Sequence, residues 1–190
     1  MTDPDDPHAS APTTDDRGEV FTSTDGRTLY LRPIRSTDGD ALLRAFARLT
    51  PEQVRLRVFH PMNELSAAAV GRLCNLNPAI AAAWVATDAD GEIRGDARFY
   101  VDAARAAEFA LIVDPTLTGI GIGHVLMQKL IEESRMRGLH ELWGVVLTEN
   151  KTMLDLARRM GATREAIPEE PGVLRIRFDP RENLPTEPRA

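Results

Sequence analysis

Residues 108–126 read Glu-Phe-Ala-Leu-Ile-Val-Asp-Pro-Thr-Leu-Thr-Gly-Ile-Gly-Ile-Gly-His-Val-Leu, an apolar stretch that runs into three alternating glycines. The apolar part predicts a β-strand, and the apolar side chains after Gly121 recur at helical spacing. Glycine tolerates a positive φ and lets a ligand approach the backbone closely. The first turn of a helix offers N–H groups that have no intrahelical acceptor. A glycine loop at a helix N-terminus is therefore typical of a site for a phosphate-bearing ligand.

Two familiar phosphate-binding motifs share these parts, and the spacing excludes both. A dinucleotide fingerprint has the pattern G-x-G-x-x-G, but His124 stands three residues after Gly121 and Leu126 stands three after Gly123. A P-loop ends in Gly-Lys-Ser/Thr, but the first lysine of the chain is Lys129. The glycine loop therefore follows a third design, in which a G-x-G-x-G run comes directly after the strand.

The pattern of apolar residues predicts one domain with six strands and five helices. Strands are expected at residues 28–35, 81–87, 92–101, 107–113, 142–147 and 173–178. Helices are expected at residues 37–48, 51–58, 66–76, 122–137 and 150–160. Thr50 and Gln53 have the spacing of a capping box, with Pro51 at the first helical position. Strands in the middle of the chain, followed by alternating helices and strands, predict an α/β (α+β) fold with a sheet of mixed direction.

Composition and charge limit the class of protein. The 190 residues carry a formal net charge of −6 and one cysteine. We expect disordered tails at residues 1–22 and 180–190 and one folded domain at residues 27–179. The acidic charge argues against nucleic acid as a partner, and the single cysteine and scattered histidines indicate neither a disulfide framework nor a metal site. Because no segment resembles a membrane span or a leader, we expect a cytoplasmic protein without a membrane partner.

The glycine loop resembles the acyl-CoA signature of the GNAT acetyltransferase superfamily, Q/R-x-x-G-x-G/A. The signature falls on residues 118–123, with its two glycines at Gly121 and Gly123 and with Thr118 in place of Gln or Arg. The resemblance covers roughly residues 29–178. It implies a GNAT-like, mostly antiparallel central sheet flanked by helices, in which two parallel strands splay apart. In that fold the pantetheine arm of acetyl-CoA lies in the splay like an added strand.

The same resemblance implies which residues hold acetyl-CoA. The pyrophosphate is expected on backbone N–H groups of the glycine loop, and pantetheine along the preceding strand. The expected contacts are Leu111, Ile112, Val113, Thr118, Gly119, Ile120, Gly121, Ile122, Gly123, His124 and Asn150. Alternatives remain open at three of them. Thr118 is shorter than Gln or Arg and uncharged, His124 is equally a solvated residue of the helix surface, and Asn150 is equally a plain helix cap.

Glu108 is the candidate general base. It lies two residues before Ala110 on the strand expected to hold the cofactor, so both face the same side. A partly buried carboxylate there can accept the proton of an amine, and Pat-type GNAT enzymes carry a glutamate in this place. The alternative is a solvated glutamate or an ion-pair partner of Arg98 or Arg105. Many small-molecule GNAT enzymes place a tyrosine seven residues after the asparagine as a general acid, but this chain has Ala157 there.

Within the superfamily, the chain is similar to the Pat-type protein lysine acetyltransferases. The similar segments are residues 31–35, 50–52, 55–61, 64–66, 149–150, 153–154 and 156–157. This resemblance implies direct acetyl transfer from acetyl-CoA to a protein lysine, for example on an acyl-CoA synthetase. We expect the two short helices of residues 37–58 to form one wall of the acceptor mouth, with Arg55 or Arg57 selecting an acidic neighbour of the target lysine. Two alternatives remain, a small-molecule amine N-acetyltransferase and a catalytically weak acyl-CoA-binding regulatory module.

Overall fold

An eight-stranded sheet organises the chain in the computed structural model, which describes residues 16–58 and 65–182, with backbone alone at 57 and 58. The strands are β1 Glu19–Thr22, β2 Thr28–Pro33, β3 Ala81–Thr87, β4 Ile93–Val101, β5 Ala106–Val113, β6 Glu141–Leu147, β7 Thr163–Ala166 and β8 Val173–Phe178. Their order across the sheet is β1-β2-β3-β4-β5-β6-β8-β7. Only β5 and β6 pair in parallel among these strands. The predicted mixed, mostly antiparallel sheet is confirmed.

Helices cover both faces of the sheet. They are α1 Gly39–Ala47, α2 Pro51–Val58, α3 Ala67–Cys74, α4 Ile122–Met136 and α5 Lys151–Arg159, and 3-10 turns at Ser36–Asp38 and Pro115–Leu117 precede α1 and α4. The capping box predicted for α2 forms, because the Thr50 N–H donates to Gln53 Oε1 (3.1 Å) and the Gln53 N–H donates to Thr50 Oγ1 (3.2 Å). No helix of the described ranges is long and apolar enough to cross a membrane.

The sequence pattern misses β1 and β7, the two short strands at the edges of the sheet. The disordered tail predicted at residues 1–22 is therefore wrong for residues 19–22, which pair antiparallel with β2. Each edge strand is only four residues long, which is too short for a periodic pattern of apolar residues to identify it. Pairing with the neighbouring strand stabilises it instead. The folded domain accordingly begins before residue 27.

The tail predicted at residues 180–190 is wrong for its first three residues. Pro180 is buried, and the guanidinium of Arg135 donates to the carbonyl oxygens of Pro180 (2.6 Å) and Glu182 (2.8 Å). Residues 1–15 and 183–190, and with them the remainder of both predicted tails, lie outside the described residues. So does 59–64, which holds part of the segment similar to Pat-type enzymes.

Two hydrophobic cores hold the helices against the sheet. On one face, α4 buries Leu126 and Leu130 in a large cluster that also contains residues of α5. On the other face, α1 and α3 share a smaller cluster that includes Leu42 and Cys74. Burial raises the pKa of the Cys74 thiol. A raised thiol pKa keeps the side chain neutral, as expected for a cysteine that serves in packing.

The parallel pairing of β5 and β6 is short. Residues 106–108 pair with residues 141–143, and no pairing follows toward the C-terminal ends of the two strands. Just past the last pair, the ring of Phe109 lies against Gly144, where a Cβ atom would meet the ring carbons at 2.9–3.1 Å. Gly144 therefore admits an aromatic ring where β5 and β6 begin to separate, and a gap opens beyond it.

We expect Gly144→Ala to lower the free energy of unfolding by about 1–3 kcal/mol, because the added methyl overpacks against Phe109. Gly71→Ala is the matched control, since Gly71 lies inside α3 with open space around its Cα. That exchange should stabilise by about 0.5–1 kcal/mol through helix propensity. Urea unfolding measures both. Equal stability of the Gly144→Ala protein and the wild type would show that the ring moves aside without cost.

Candidate active site

The glycine loop forms a cradle of unpaired backbone donors. α4 begins at Ile122, and Gly121 is its N-cap with φ 96° and ψ −9°. No N–H group from Gly119 to Gly123 donates to an acceptor within the described residues. Unpaired N–H groups at the positive end of a helix dipole attract anions. The structure thus places unpaired backbone donors where the sequence predicts them, and the binding of phosphate there stays a prediction.

The three glycines serve different purposes. Gly119 has φ 81° with nothing within 4 Å of an added Cβ, so it is needed for its backbone conformation. Gly121 also has a positive φ, and an added Cβ would lie 3.3 Å from the ring of Phe21. Gly123 is an ordinary helical residue, and its Cα faces side chains of Leu111 and Leu156. Gly123 therefore allows close packing of α4, β5 and α5.

Asp114 fixes the entrance to this loop. Its carboxylate accepts hydrogen bonds from the N–H (3.0 Å) and hydroxyl (2.7 Å) of Thr116, and ion pairs from Arg48 and Arg94 (3.0 Å each). The side chain is only 3% exposed. Burial acts to raise the pKa of Asp114, but the hydrogen bonds from Thr116 and Arg94 outweigh it and hold that pKa below its ordinary value. The carboxylate is thus ionised, and it anchors the 3-10 turn that leads to the cradle.

The edge of β5 that faces the gap has no neighbouring strand beyond Glu108. The Val113 carbonyl accepts from the side-chain amide of Gln53 in α2 (3.3 Å), whereas the Asp114 N–H bonds to β4 at Arg94 O (2.8 Å). Since successive residues of a strand point their backbone groups to opposite edges, Leu111 shares the open edge with Val113. The backbone N–H and C=O of Ile112 point to β4, and its side chain lines a separate cavity of about 250 Å³ on the side of α1. Ile112 is therefore not placed in the gap.

A cleft of about 260 Å³ occupies the gap between β5 and β6. The described residues that line it are Leu56, Tyr100, Glu108, Phe109, Ala110, Leu111, Val145, Val146, Asn150 and Met153. Leu56 brings α2 to the cleft, whereas α1, the other helix expected to form its wall, contributes none of these lining residues. Among these described lining residues, the polar side chains are the carboxylate of Glu108, the phenol of Tyr100 and the carboxamide of Asn150.

The carboxylate of Glu108 lies in this cleft and is solvent-exposed, in contrast to the partial burial that we expect from the sequence. Exposure follows from its position, because β5 has lost its neighbour strand just beyond Glu108. The alternative ion-pair partners are engaged elsewhere. Arg98 is bound to the buried carboxylate of Asp96 (Nε to Oδ1, 2.8 Å), and Arg105 donates to the carbonyl of Arg137 (2.7 Å). Glu108 thus remains available to a substrate.

Tyr100 is a functional candidate that sequence reasoning misses. It is the register partner of Glu108 on β4, is 44% exposed, and carries the only hydroxyl among the described residues that line the cleft. Side chains of register partners on one face of a sheet lie close together. The sequence predicts both β4 and β5. The register of their pairing, which places Tyr100 across from Glu108, depends on the length of the connecting loop. The predicted acid position, Ala157, is fully buried in the core.

The structure confirms one of the two roles that the sequence left open for Asn150, and the contact with pantetheine stays a prediction. Its Oδ1 accepts from the Met153 N–H (3.1 Å), which confirms the helix cap, and the residue also lines the cleft. Its side-chain NH₂ donates to nothing within the described residues. This amide is therefore free to donate to a ligand while the oxygen caps α5.

Arg55 is not free to select an acceptor. Its guanidinium pairs with Glu52 (2.7 Å) in α2 and with Glu149 (2.7 Å), the residue before Asn150. The ion pair with Glu149 joins α2 to the start of α5 beside the cleft. The expectation that Arg55 or Arg57 selects an acidic neighbour of the acceptor loses its first candidate, and the side chain of Arg57 lies outside the described part of the chain.

Thr118 and His124 flank the cradle. Thr118 is exposed, and its hydroxyl donates to the Pro115 carbonyl at 3.4 Å. Because the side chain is neutral, it adds no charge to the expected phosphate site. His124 is half-buried in the first turn of α4. Whether either touches the cofactor stays a prediction.

Comparison with known proteins agrees with this geometry. Residues 44–162 match the model of the acetyltransferase (GNAT) family. An acetyltransferase of Pseudomonas aeruginosa is 28% identical over 77% of this chain and 81% of its own length. The acetyltransferase Pat of Mycolicibacterium smegmatis is 31% identical over 86% of this chain, which spans 50% of that relative. The crystal structure of the GNAT domain of S. lividans PAT superposes with a TM-score of 0.79 at 27% identity, covering 85% of this chain and 96% of that domain.

The fold and the cradle define an acyl-CoA-dependent transferase. The chain belongs to the GNAT acetyltransferase family and is an N-acetyltransferase. Acetyl-CoA is the acetyl donor of this family, and a solved structure of the same fold from Salmonella typhimurium contains it as cofactor.

We expect Gly121→Ala to weaken the binding of CoA at least several-fold, because a side chain at φ 96° strains the N-cap and moves the donors of the cradle. Gly123→Ala is the matched control. It has no positive φ, and its nearest neighbour is the flexible end of Leu156 at 3.3 Å. The control should bind CoA nearly as the wild type does. Isothermal calorimetry with CoA measures both, and equal affinity of the Gly121→Ala protein would place the pyrophosphate elsewhere.

Proposed function

We propose that this protein transfers the acetyl group of acetyl-CoA directly to an amine in a ternary complex, with a protein lysine as acceptor and Glu108 as general base. The observation that carries the proposal is the cleft itself. It joins the open edge of β5, which would hold pantetheine, to an available carboxylate at Glu108. One cleft thus offers a place for the thioester and a base for the attacking amine.

Each group of the site has a role in such a transfer. When bound, acetyl-CoA supplies the activated thioester, so the protein need only position, deprotonate and stabilise. Glu108 accepts a proton from the acceptor ammonium, and the amine nitrogen then forms its bond to the acetyl carbon as the bond from that carbon to sulfur breaks. Tyr100, across from Glu108, is placed to give its proton to the departing sulfur, and the proton that the nitrogen loses as the amide forms restores the phenol. The cradle of residues 119–124 would bind the pyrophosphate, and the Asn150 amide the pantetheine arm.

Likeness to Pat-type enzymes favours a protein lysine over a small amine. The segments similar to Pat-type enzymes are accompanied by likeness over most of the chain to the acetyltransferase Pat and to the S. lividans GNAT domain. The net charge of −6 favours the approach of a cationic amine of either kind and opposes acidic metabolites. The small-molecule amine enzyme and the weakly catalytic acyl-CoA-binding module remain the outcomes against which the proposal is tested.

Glu108→Gln keeps the shape of the side chain and removes the base. We expect kcat to fall by about 10²-fold or more while the affinity for CoA stays nearly constant, the usual contribution of a general base. Glu169→Gln is the control, since Glu169 is an exposed residue of the loop between β7 and β8. Steady-state release of CoA measures both variants. Unchanged turnover of the Glu108→Gln enzyme would show that Glu108 is a solvated surface residue and not the general base.

The acceptor is tested by competition. A folded acyl-CoA synthetase and a panel of small amines compete for labelled acetyl-CoA in the presence of the enzyme, and mass spectrometry locates the label. We expect label on a lysine of the protein, above the level reached without enzyme. Preferential labelling of the small amines would support the small-molecule alternative. CoA binding without release of CoA for any acceptor would support the regulatory module.

A further inference from the structure

The hairpin of β1 and β2 reaches the glycine loop from outside the cleft. The Thr24 N–H, in the hairpin turn, donates to the Ile120 carbonyl (3.1 Å). The ring of Phe21 on β1 lies against Gly121, within 3.3 Å of the position of an added Cβ. Thr24 and Phe21 are therefore in contact with the two central residues of the cradle, although neither lines the cleft between β5 and β6.

The hydrogen bond from Thr24 fixes the direction of a cradle donor. The Ile120 carbonyl and the Gly121 N–H belong to one peptide unit, and no cis peptide bond occurs in the described chain. In a planar trans peptide the C=O and N–H bonds point in opposite directions. Because the carbonyl points to the hairpin, the Gly121 N–H points away from the hairpin, where it has no acceptor within the described residues.

The turn that presents the Thr24 N–H is itself rigid. The Gly26 N–H donates to the Ser23 carbonyl (2.9 Å), which closes a four-residue turn with Thr24 in its second position. Thr24 and Asp25 have negative φ and Gly26 has φ 84°, the pattern of a type I turn followed by a left-handed residue. The hydroxyl of the buried Ser23 donates to Asp25 Oδ1 (2.5 Å) and accepts from the Arg27 N–H (3.0 Å).

The far end of β1 is tied to α4, the helix whose N-terminus forms the cradle. Glu19 Oε2 accepts from Lys129 Nζ (2.6 Å), and the same ammonium lies 5.1 Å from the ring centre of Trp84 on β3. The Lys129 side chain is only 17% exposed. The hairpin is thus held both at its turn and at its beginning, so it cannot shift along α4 without breaking one of these contacts.

We infer that this N-terminal hairpin positions the cofactor loop, with the Thr24 N–H orienting the Gly121 donor and Phe21 holding the backbone of Gly121 in place for the pyrophosphate of acyl-CoA. The inference rests on the proposed binding of pyrophosphate at the cradle. Thr24 and Phe21 are positioning residues, since they act through Ile120 and Gly121.

Thr24→Pro tests the hydrogen bond with little other change. It removes the N–H, and proline is favoured at the second position of a type I turn. We expect the dissociation constant of CoA and the KM for acetyl-CoA to rise about three- to tenfold, the effect of one lost hydrogen bond. The KM for the acceptor and kcat at saturating acetyl-CoA should stay near their wild-type values. Thr24→Ala keeps the N–H and should bind CoA as the wild type does.

A second pair of variants tests the ring and keeps the inference testable if the proline variant does not fold. Phe21→Ala should raise the dissociation constant of CoA, and Phe21→Leu should restore part of the affinity. Val20→Ala on the same strand should have no effect, because Val20 is 68% exposed. Thermal unfolding identifies the temperature at which all the variants are folded, and binding is compared there.

The outcomes separate the two proposals. If the wild type binds CoA and the folded variants at Thr24 and Phe21 bind it equally well, the hairpin does not position the cradle. Equal increases in the KM values of acetyl-CoA and acceptor would likewise indicate a general structural effect. If the wild type itself does not bind CoA, the proposed cofactor site fails first.

Discussion

The end of the parallel pairing between β5 and β6 is the constraint on which the site depends. Three residue pairs hold the two strands together, and the ring of Phe109 over Gly144 occupies the point where they separate. Past that point a strand edge in the middle of the sheet is left without a neighbour. Unpaired backbone groups at such an edge favour the addition of an extended ligand. Glu108 belongs to the last paired position, so the carboxylate lies where the edge becomes open.

Rigid elements surround the open edge on both sides. Asp114 and its two arginines fix the chain where it leaves β5, and Asn150 fixes it where α5 begins. Between these points the glycine loop is held by its backbone and by the N-terminal hairpin. Backbone donors oriented before the ligand arrives need not be reorganised on binding, which is how a loop without a charged side chain can hold an anion. The lack of Gln or Arg at position 118 is therefore compatible with a formed cradle.

Most of the fold could be predicted because its patterns are local. The strand before Asp114, the glycine run and the caps at Thr50 and Asn150 each depend on a few neighbouring residues, and all occur in the structure. The edge strands could not be predicted, since their stability comes from β2 and β8. The position of Tyr100 across from Glu108 and the capture of Arg55 by Glu149 also depend on contacts between distant elements. For the same reason, only the pairing of β5 with β4 showed that the backbone groups of Ile112 point to β4 and not into the gap.

The contact of Lys129 with Glu19 and Trp84 has a chemical consequence for an enzyme proposed to modify lysines. The chain has two lysines, Lys129 and Lys151, and apart from four histidines its other basic side chains are arginines. A guanidinium stays protonated and is a poor nucleophile at neutral pH, and the ammonium of Lys129 is enclosed by an ion pair and an aromatic ring. Most of the positive charge of the protein therefore lies on guanidinium groups, which the proposed reaction would leave unmodified. Under the proposed function, self-acetylation would therefore fall on the exposed Lys151 rather than on the enclosed Lys129.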